Sequence, residues 1–322
     1  MPRRCPSTST SISWWSVRGR RPRRTRSSGS RRTETGARAR AAAGHSEGVQ
    51  TDEVLTLLQE VAADVITPRF RSLADGEVME KNPGDLVTVA DREAEIEITR
   101  RLRDAYPDAL IVGEEAVAAD RAILEAAADA DHWFTVDPVD GTRNFVHGSP
   151  DHAVMVAELR GPQVVRSWIW QPEHELAYVA ERGAGAWRGD ERLSAAPRDA
   201  AAARGRTSRR SLVGARLGDL PPLELTWVSC GIDYPKLAEN ACEYLLYGNA
   251  MPWDHAPGSL LVAEAGGVTT YPSGQLYDPT SVSGPLISAG DPDVSARVRD
   301  ALPGSDAMRQ LHPTAKSSLP VE

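Results

Sequence analysis

Oxygen-bearing side chains are concentrated in three short, turn-rich segments of this chain. The first is the run Asp137–Asn144, the second is the pair Glu114-Glu115 upstream, and the third is Trp253-Asp254 far downstream. Together these segments supply five carboxylates and a threonine hydroxyl. Clusters of oxygen ligands suit hard cations, above all Mg2+. A site that gathers two or more Mg2+ ions is suited to cleaving phosphate esters.

The run Asp137–Asn144 predicts a tight turn that directs acidic groups at one point. A proline and a glycine inside the sequence Asp-Pro-Val-Asp-Gly-Thr enforce the turn. Because Asp137 and Asp140 are three residues apart around it, their carboxylates can converge, and the carbonyl of Val139 can face the same point. A structural explanation competes with this hypothesis, since aspartates often cap turns without binding a metal.

The remaining acidic residues follow or begin predicted elements. Glu114 and Glu115 come directly after the apolar run 110–112, so they lie at the same sheet edge as Asp137 if the two strands are neighbours. Two glutamates at a strand end are usually just solvated, and Asp91 and Asp254 each stand where a helix-capping role would explain them. The metal hypothesis therefore depends on all of these residues occurring together, in this order.

Hydrophobic spacing divides the folded part into helices and strands. Helices are predicted from Thr51-Asp52 to about residue 65, at 91–104, at 119–128, at 235–246, and from Asp254 to a stop at Gly266-Gly267. Strands are predicted at 86–90, 110–113 and 133–136, and in an antiparallel meander at 152–159, 163–170 and 175–180. Helices mixed with antiparallel strands favour an α+β fold over a doubly wound nucleotide-binding sheet, and the sequence has no GxGxxG or Walker A motif.

Composition separates a basic N-terminal segment from an acidic remainder. Residues 1–48 contain 12 Arg and two Glu, a net charge of +10, whereas the whole chain carries −8, which leaves −18 for the rest. We expect residues 1–48, which are poor in aliphatic side chains, to be a disordered basic extension. Either it is an arm that binds nucleic acid nonspecifically, or the true start lies downstream. We expect one domain over 49–300 and a flexible tail over 301–322.

Cysteine use and hydropathy bear on the compartment. The three cysteines, Cys5, Cys230 and Cys242, show neither a CxxC pairing nor zinc-site spacing, which favours a reducing, cytoplasmic location. The sequence has no apolar run near the roughly 20 residues needed to span a bilayer, so a membrane is not expected as a partner.

Four motifs resemble those of the inositol monophosphatase family, the Mg2+-dependent, lithium-sensitive phosphatases. They are Lys81 with Asp85–Asp91, Gly113-Glu114-Glu115, Asp137–Phe145, and Pro252-Trp253-Asp254 with Glu264–Gly267. The resemblance covers roughly residues 50–290. It implies the layered α/β/α/β/α sandwich of the inositol monophosphatase and fructose-1,6-bisphosphatase type, assembled as a homodimer.

The resemblance also implies two to three Mg2+ ions per active site. Glu114, Asp137 and the carbonyl of Val139 would hold the first ion, and Asp137, Asp140 and Asp254 the second. A third, weaker ion would be bound by Glu114 and waters, with Glu115 close by.

The remaining roles implied by the resemblance concern water and substrate. Asp91 and Thr142 would orient and deprotonate the attacking water, so they are the predicted catalytic residues together with the metal ligand Glu114. Backbone N–H groups of Gly141 and Thr142 would hold the phosphate. Asp254 and Tyr247 would border the rest of the substrate.

Tyr247 marks a departure from the family pattern. The family typically carries a glutamate seven residues before the last metal aspartate, and this chain has Tyr247 there. Tyr247 could hydrogen-bond a polyol or stack on an aromatic group, or it could be a core-edge tyrosine that never touches substrate. The predicted reaction is hydrolysis of a small polyol, sugar or amino-alcohol phosphate, with inositol phosphate and histidinol phosphate as the substrates that fit best.

Two hypotheses from other classes compete with the enzyme. The first is a nucleic-acid-associated regulator that uses the phosphatase fold as a scaffold and the basic segment as its contact. Every metal-ligand position is intact and the remainder is acidic, which argues against it. The second is a structural metal-binding protein, for which the intact pair Asp91 and Thr142 would not be required.

Overall fold

The computed structural model describes residues 50–74, 76–82, 85–195 and 202–302. The predictions for residues 1–48 and for the tail beyond residue 302 lie outside these ranges. The strands are β1 Val78–Asn82, β2 Asp85–Thr88, β3 Leu110–Gly113, β4 His132–Asp140, β5 Ala153–Arg160, β6 Gln163–Gln171, β7 Leu176–Glu181, β8 Gly185–Arg188, β9 Glu191–Arg192, β10 Gly205–Thr207, β11 Glu224–Leu225, β12 Tyr244–Tyr247, β13 Val268–Thr270 and β14 Leu286–Ala289. The α-helices are α1 Thr51–Val61, α2 Val89–Ala105, α3 Glu114–Ala119, α4 Ala122–Ala126, α5 Thr142–Val146, α6 Cys230–Ala238, α7 Pro252–Glu264 and α8 Pro292–Ala301.

The larger sheet carries the predicted meander. Its strand order is β3-β4-β5-β6-β7-β8-β9. The β3 and β4 strands are parallel neighbours, and every later pair is antiparallel. The prediction that the strands preceding Glu114 and Asp137 are neighbours is thereby confirmed, since carboxyl ends of adjacent parallel strands meet at one sheet edge.

Helices cover both faces of this sheet. On one face, Leu58 of α1 and Ile98 of α2 belong to the same buried cluster as Trp168 of β6. On the other face, Leu261 of α7 clusters with Met155 of β5. The second sheet, of order β11-β10-β12-β14-β13, packs its inner face on α6 and α7 and its outer face on α8. The layers are α/β/α/β/α, and the predicted α+β class is confirmed.

The helix predicted at 235–246 is wrong. The chain forms α6 and then β12 there, with Asn240 in the left-handed region at φ 62° just after the helix ends. Pro235 lies inside α6 and has no N–H to donate to the carbonyl of Gly231. Gln171 Nε2 donates to that carbonyl instead, at 2.7 Å. The side chain of a β6 residue thus replaces the backbone hydrogen bond that the proline cannot donate.

Two further helix ends follow from local hydrogen bonds. The helix predicted at 119–128 begins later, as α4 at Ala122, because the Asp120 side chain accepts from the Ala122 N–H at 3.0 Å and starts the helix there, and the separate helix α3 precedes it. The stop predicted at Gly266-Gly267 is confirmed, with Gly266 at φ 104° and the Gly267 N–H donating to the Val262 carbonyl at 2.9 Å. Within the described ranges, every helix is too short or too polar to cross a bilayer.

Candidate active site

Three carboxylates converge at the end of β4. Asp137 and Asp140 belong to β4, and Asp254 lies in the first turn of α7. Each offers an oxygen within 4.8 Å of the other two. Residues three apart on a regular strand face opposite sides, and a bulge in β4 between Asp137 and Asp140 brings them together. We call Asp137, Asp140 and Asp254 the aspartate triad; Asp254 is the third residue of its helix, so it is not the helix cap.

The two strand aspartates are buried and differ in their hydrogen bonds. Burial raises the pKa of Asp137 well above its ordinary value, and the negative charge of Glu114 raises it further. Asp137 Oδ1 is buried and accepts no hydrogen bond from the described residues. The pKa of Asp140 is also raised by burial, but the Ser229 hydroxyl and the Gly231 N–H, at 2.7 Å, donate to its Oδ2 and oppose that effect.

The aspartate triad fits a divalent cation. Buried carboxylates that crowd together are costly unless a positive charge compensates them, and an all-oxygen donor set is the kind that Mg2+ takes. The buried Asp137 Oδ1 without a donor is an open ligand position of this kind. The Val139 carbonyl lies at the same turn and accepts from Thr142 Oγ1 at 3.1 Å.

Glu114 and Glu115 lie outside the triad and share one ammonium group. Lys81 Nζ is 2.7 Å from Glu114 Oε1 and 2.6 Å from Glu115 Oε1. Burial raises the pKa of Glu114 to about 7, and Lys81 lowers it only in part. The structure therefore separates two of the ligands predicted for the first ion. Asp137 belongs to the triad, whereas Glu114 forms an ion pair with Lys81. The family motif includes Lys81, but the sequence does not indicate that it pairs with these two glutamates.

Glu95 holds the glutamate pair in place, and the sequence did not single it out. Its Oε2 accepts from the Glu115 N–H at 2.7 Å and its Oε1 from the Ala116 N–H at 2.8 Å. A Cβ at Gly113 would lie 2.3 Å from Glu95 Cδ, so this close approach requires glycine. The available signal was spacing, because Glu95 follows Asp91 by four residues and so lies on the same face of α2.

Asp91 and Thr142 form a hydrogen-bonded pair. Thr142 Oγ1 is 3.0 Å from Asp91 Oδ1. The other oxygen, Oδ2, accepts from the N–H of Thr88 at 2.8 Å and from its hydroxyl. Thr88 is the N-cap of α2 and Asp91 completes the capping box three residues later. The capping explanation therefore accounts for one oxygen of Asp91 and leaves the other for Thr142. Burial raises the pKa of Asp91 to about 6.

A cavity of about 180 Å³ opens beside the triad. Asp140, Asp254 and Tyr247 are among its lining residues. Tyr247 is only 2% exposed, and its hydroxyl donates to Asp233 Oδ2 at 3.3 Å. Because that hydroxyl is engaged, Tyr247 offers the cavity chiefly its ring.

Strained backbone borders the same cavity. Val228 lines it and adopts φ 61°, a conformation that is unfavourable for a β-branched residue. Asn144 Nδ2 donates to the carbonyls of Trp227 at 2.9 Å and Val228 at 3.4 Å and so anchors this segment to α5. Gly141, just before α5, is at φ 86°, and a Cβ there would lie 2.9 Å from Ser229 Cβ. The motif Asp137–Asn144 and the segment around Val228 are thus built as one unit.

The five-layer fold and the carboxylate centre define a phosphatase-fold protein with a candidate metal site. The sequence profile of the inositol monophosphatase family matches residues 49–303. The chain belongs to this family.

Relatives of the chain carry two kinds of name. An inositol-1-monophosphatase of Mesorhizobium japonicum is 35% identical over 209 residues, which cover 62% of this chain and 76% of the relative. A Nus factor SuhB of Pseudomonas aeruginosa is 31% identical over 229 residues, which cover 62% of this chain and 79% of the relative.

Solved structures confirm the predicted layered sandwich. The extragenic suppressor protein suhB of Bartonella henselae superposes with a TM-score of 0.66 at 26% identity, covering 79% of this chain and 98% of that one. An IMPase of Thermotoga maritima superposes with a TM-score of 0.68 at 24% identity, covering 81% of this chain and 98% of that one.

Proposed function

We propose that this protein is a Mg2+-dependent phosphomonoesterase that hydrolyses a small polyol, sugar or amino-alcohol phosphate. The observation that carries the proposal is the aspartate triad, in which Asp137 and Asp140 are buried and Asp137 has an open oxygen, beside the hydrogen-bonded pair Asp91 and Thr142. The cavity volume of about 180 Å³ lies below the range of about 300–1,000 Å³ typical of pockets for larger ligands. It therefore favours a small substrate.

Different residues would have different roles in the transfer of the phosphate to water. The aspartate triad would hold Mg2+. Glu114 would be a ligand of a further ion once its ion pair with Lys81 is broken. Bound Mg2+ supplies neutralisation of the phosphate dianion and a lower pKa for bound water. Backbone N–H groups of Gly141 and Thr142 bind phosphate oxygens at the start of α5.

Asp91 and Thr142 move the proton. Thr142 Oγ1 accepts a proton from the attacking water while its own proton passes to Asp91 Oδ1, so the hydroxyl is regenerated and Asp91 becomes the neutral acid. The pKa of Asp91, raised to about 6 by burial, makes it a stronger base than an ordinary aspartate. The hydroxide so formed attacks phosphorus, the bond between phosphorus and the ester oxygen breaks, and the leaving alkoxide takes up a proton from solvent while Asp91 returns its proton to solvent. No covalent bond forms between protein and phosphate.

Inositol phosphate and histidinol phosphate are the leading substrates within this class. The name of the Mesorhizobium japonicum relative supports the first. Tyr247 borders the leaving group through its ring, and its hydroxyl donates to Asp233, which also lines the cavity. We carry over a homodimer and a cytoplasmic location from the family resemblance and from cysteine use.

Phosphate release tests the proposal. The panel contains inositol 1-phosphate, histidinol phosphate, fructose 1,6-bisphosphate and 3′-phosphoadenosine 5′-phosphate, each with Mg2+, with EDTA and with added Li+. We expect release from at least one compound that needs Mg2+ and falls with Li+. No release from any of them, by folded protein that binds Mg2+, would overturn the proposal.

A second candidate is a nucleic-acid-associated regulator, which the name of the Pseudomonas aeruginosa relative favours. Gel-shift titrations with RNA, on the full chain and on residues 49–322, separate the two candidates. This candidate differs from the regulator predicted from the sequence, because the folded part of the chain and not the basic segment would make the contact, so RNA binding should survive removal of residues 1–48. Binding that disappears with this segment, or falls steeply with salt, would be nonspecific attraction to a basic tail.

A further inference from the structure

Two adjacent arginines lie beside the cavity of the aspartate triad. Arg210 lines it together with Asp140 and Asp254. Arg209 packs on Gly248, between two other lining residues, and a Cβ added to Gly248 would lie 3.3 Å from Arg209 Cγ. The cavity thus has an acidic part at the triad and a basic part at the arginines.

The topology of the second sheet explains why the arginines stand there. The β10 strand is parallel to both β11 and β12, so the three carboxyl ends meet at one edge. The lining residues Ser208, Thr226 and Asn249 each follow one of these strands by one or two positions. Arg209 and Arg210 continue from Ser208, at an edge where parallel sheets commonly place their ligands.

Both guanidinium groups lack an ionic partner within the described ranges. Arg209 Nη1 is buried and makes no hydrogen bond there. Burial lowers the pKa of Arg209, and no carboxylate counteracts this effect. By contrast, Arg206 on β10 pairs with Glu224 and lies over the ring of Trp227. A buried donor without an acceptor is costly, so Arg209 requires an explanation that Arg206 does not.

We propose that Arg209 and Arg210 form a subsite for a second anionic group of the substrate, either a phosphate or a carboxylate. The inference rests on the proposed phosphomonoesterase function, in which the aspartate triad receives the phosphate that is cleaved. A guanidinium binds such anions through short, paired, charge-assisted hydrogen bonds. Within the proposed function, the subsite narrows the substrate to a small phosphomonoester with an anionic leaving group. It disfavours both substrates named above, because the leaving group of inositol 1-phosphate is neutral and that of histidinol phosphate is cationic.

Matched substrate pairs test this subsite. Fructose 1,6-bisphosphate differs from fructose 1-phosphate by a second phosphate, and 3-phosphoglycerate differs from glycerol 3-phosphate by a carboxylate. We expect the wild type to prefer the doubly anionic member of at least one pair, and the pair concerned identifies the anion. In R209Q/R210Q, kcat/KM for that member should fall about tenfold or more through KM, with its partner unchanged. The control R216Q removes an exposed arginine that, among the residues the structure describes, donates only to the Leu220 carbonyl, and it should change neither.

Distinct outcomes overturn the subsite and the proposed function. Equal use of both members by the wild type, or an equal loss on both in R209Q/R210Q, overturns the subsite and leaves the phosphatase intact. If the wild type releases no phosphate, the phosphatase fails. Calorimetric binding of fructose 1,6-bisphosphate and fructose 1-phosphate then decides the subsite, and equal affinities overturn it. If the double variant does not fold, R210Q alone replaces it, because Arg210 is exposed.

Discussion

Replacing Glu95 by glutamine tests how far the position of Glu114 and Glu115 matters, without changing either glutamate itself. The buried Glu95 carboxylate accepts from two partly buried backbone N–H groups, that of Glu115 at 2.7 Å and that of Ala116 at 2.8 Å. A glutamine amide has only one acceptor oxygen, so its NH2 group would face the second N–H. An unsatisfied buried donor costs about 1–3 kcal/mol, and α3 must shift to relieve it.

We expect the substitution to affect activity because it displaces Glu114 and Glu115, which weakens Mg2+ binding. Groups that orient metal ligands typically contribute about 10–100-fold to metal affinity. Since Glu95 holds backbone rather than a ligand side chain, we expect E95Q to raise the half-saturating Mg2+ concentration by about tenfold, at the lower end of that range. At saturating Mg2+, kcat should recover to within a factor of about three.

The assay is phosphate release as a function of Mg2+ at pH 8, above the Glu95 pKa of about 7 that burial produces. The matched control is E97Q, two residues away on the same helix, where a partly exposed carboxylate pairs with Arg100 and Arg101. E97Q should titrate like the wild type. G113A should behave like E95Q, because its Cβ would displace the Glu95 carboxylate. Identical Mg2+ titrations for E95Q and E97Q would refute the positioning role.

Three other substitutions probe the site and its surroundings. D137N should abolish turnover. In EDTA it should also raise the melting temperature, because it removes a buried charge that its neighbours repel. Activity like that of the wild type would refute the assignment of the triad as the metal site. His152 is buried and its pKa is lowered to about 4, so the unfolded chain binds the proton first and the free energy of unfolding falls as pH drops from 6.5 to 4. The slope is about 1.4 kcal/mol per pH unit, and urea titrations of H152F should lack it. Y247F should lower the free energy of unfolding by about 1 kcal/mol through loss of the Asp233 contact, with KM unchanged; a KM raised tenfold would place the Tyr247 hydroxyl on the substrate instead.

The sequence predicted the elements whose signals are local. The alternation of apolar residues over 152–180 predicted the meander, and the apolar run before Gly113 predicted the strand that aligns Glu114 with Asp137. The grouping of Asp137, Asp140 and Asp254 followed from a turn motif and the family resemblance, and the structure brings these residues within 4.8 Å.

Features that depend on distant partners escaped prediction. Pro235 leaves the Gly231 carbonyl of α6 without its usual donor, and Gln171, 60 residues away on β6, donates to it instead. The pairing of Lys81 with Glu114 joins residues 33 positions apart, and no local pattern indicates it. Arg209 likewise has no local signal in the sequence, because its environment depends on packing against Gly248, which is distant along the chain.

Hydrolysis in water enriched in ¹⁸O tests the central claim most directly, because it reports both the chemistry and its dependence on the triad. Wild-type protein and D137N are each incubated with the best substrate of the panel and Mg2+, and the released phosphate is analysed by mass spectrometry. We predict that the wild type incorporates one ¹⁸O atom into each phosphate, that EDTA stops release, and that D137N releases none. Phosphate without ¹⁸O, or equal release by D137N, would contradict attack by water at the aspartate triad.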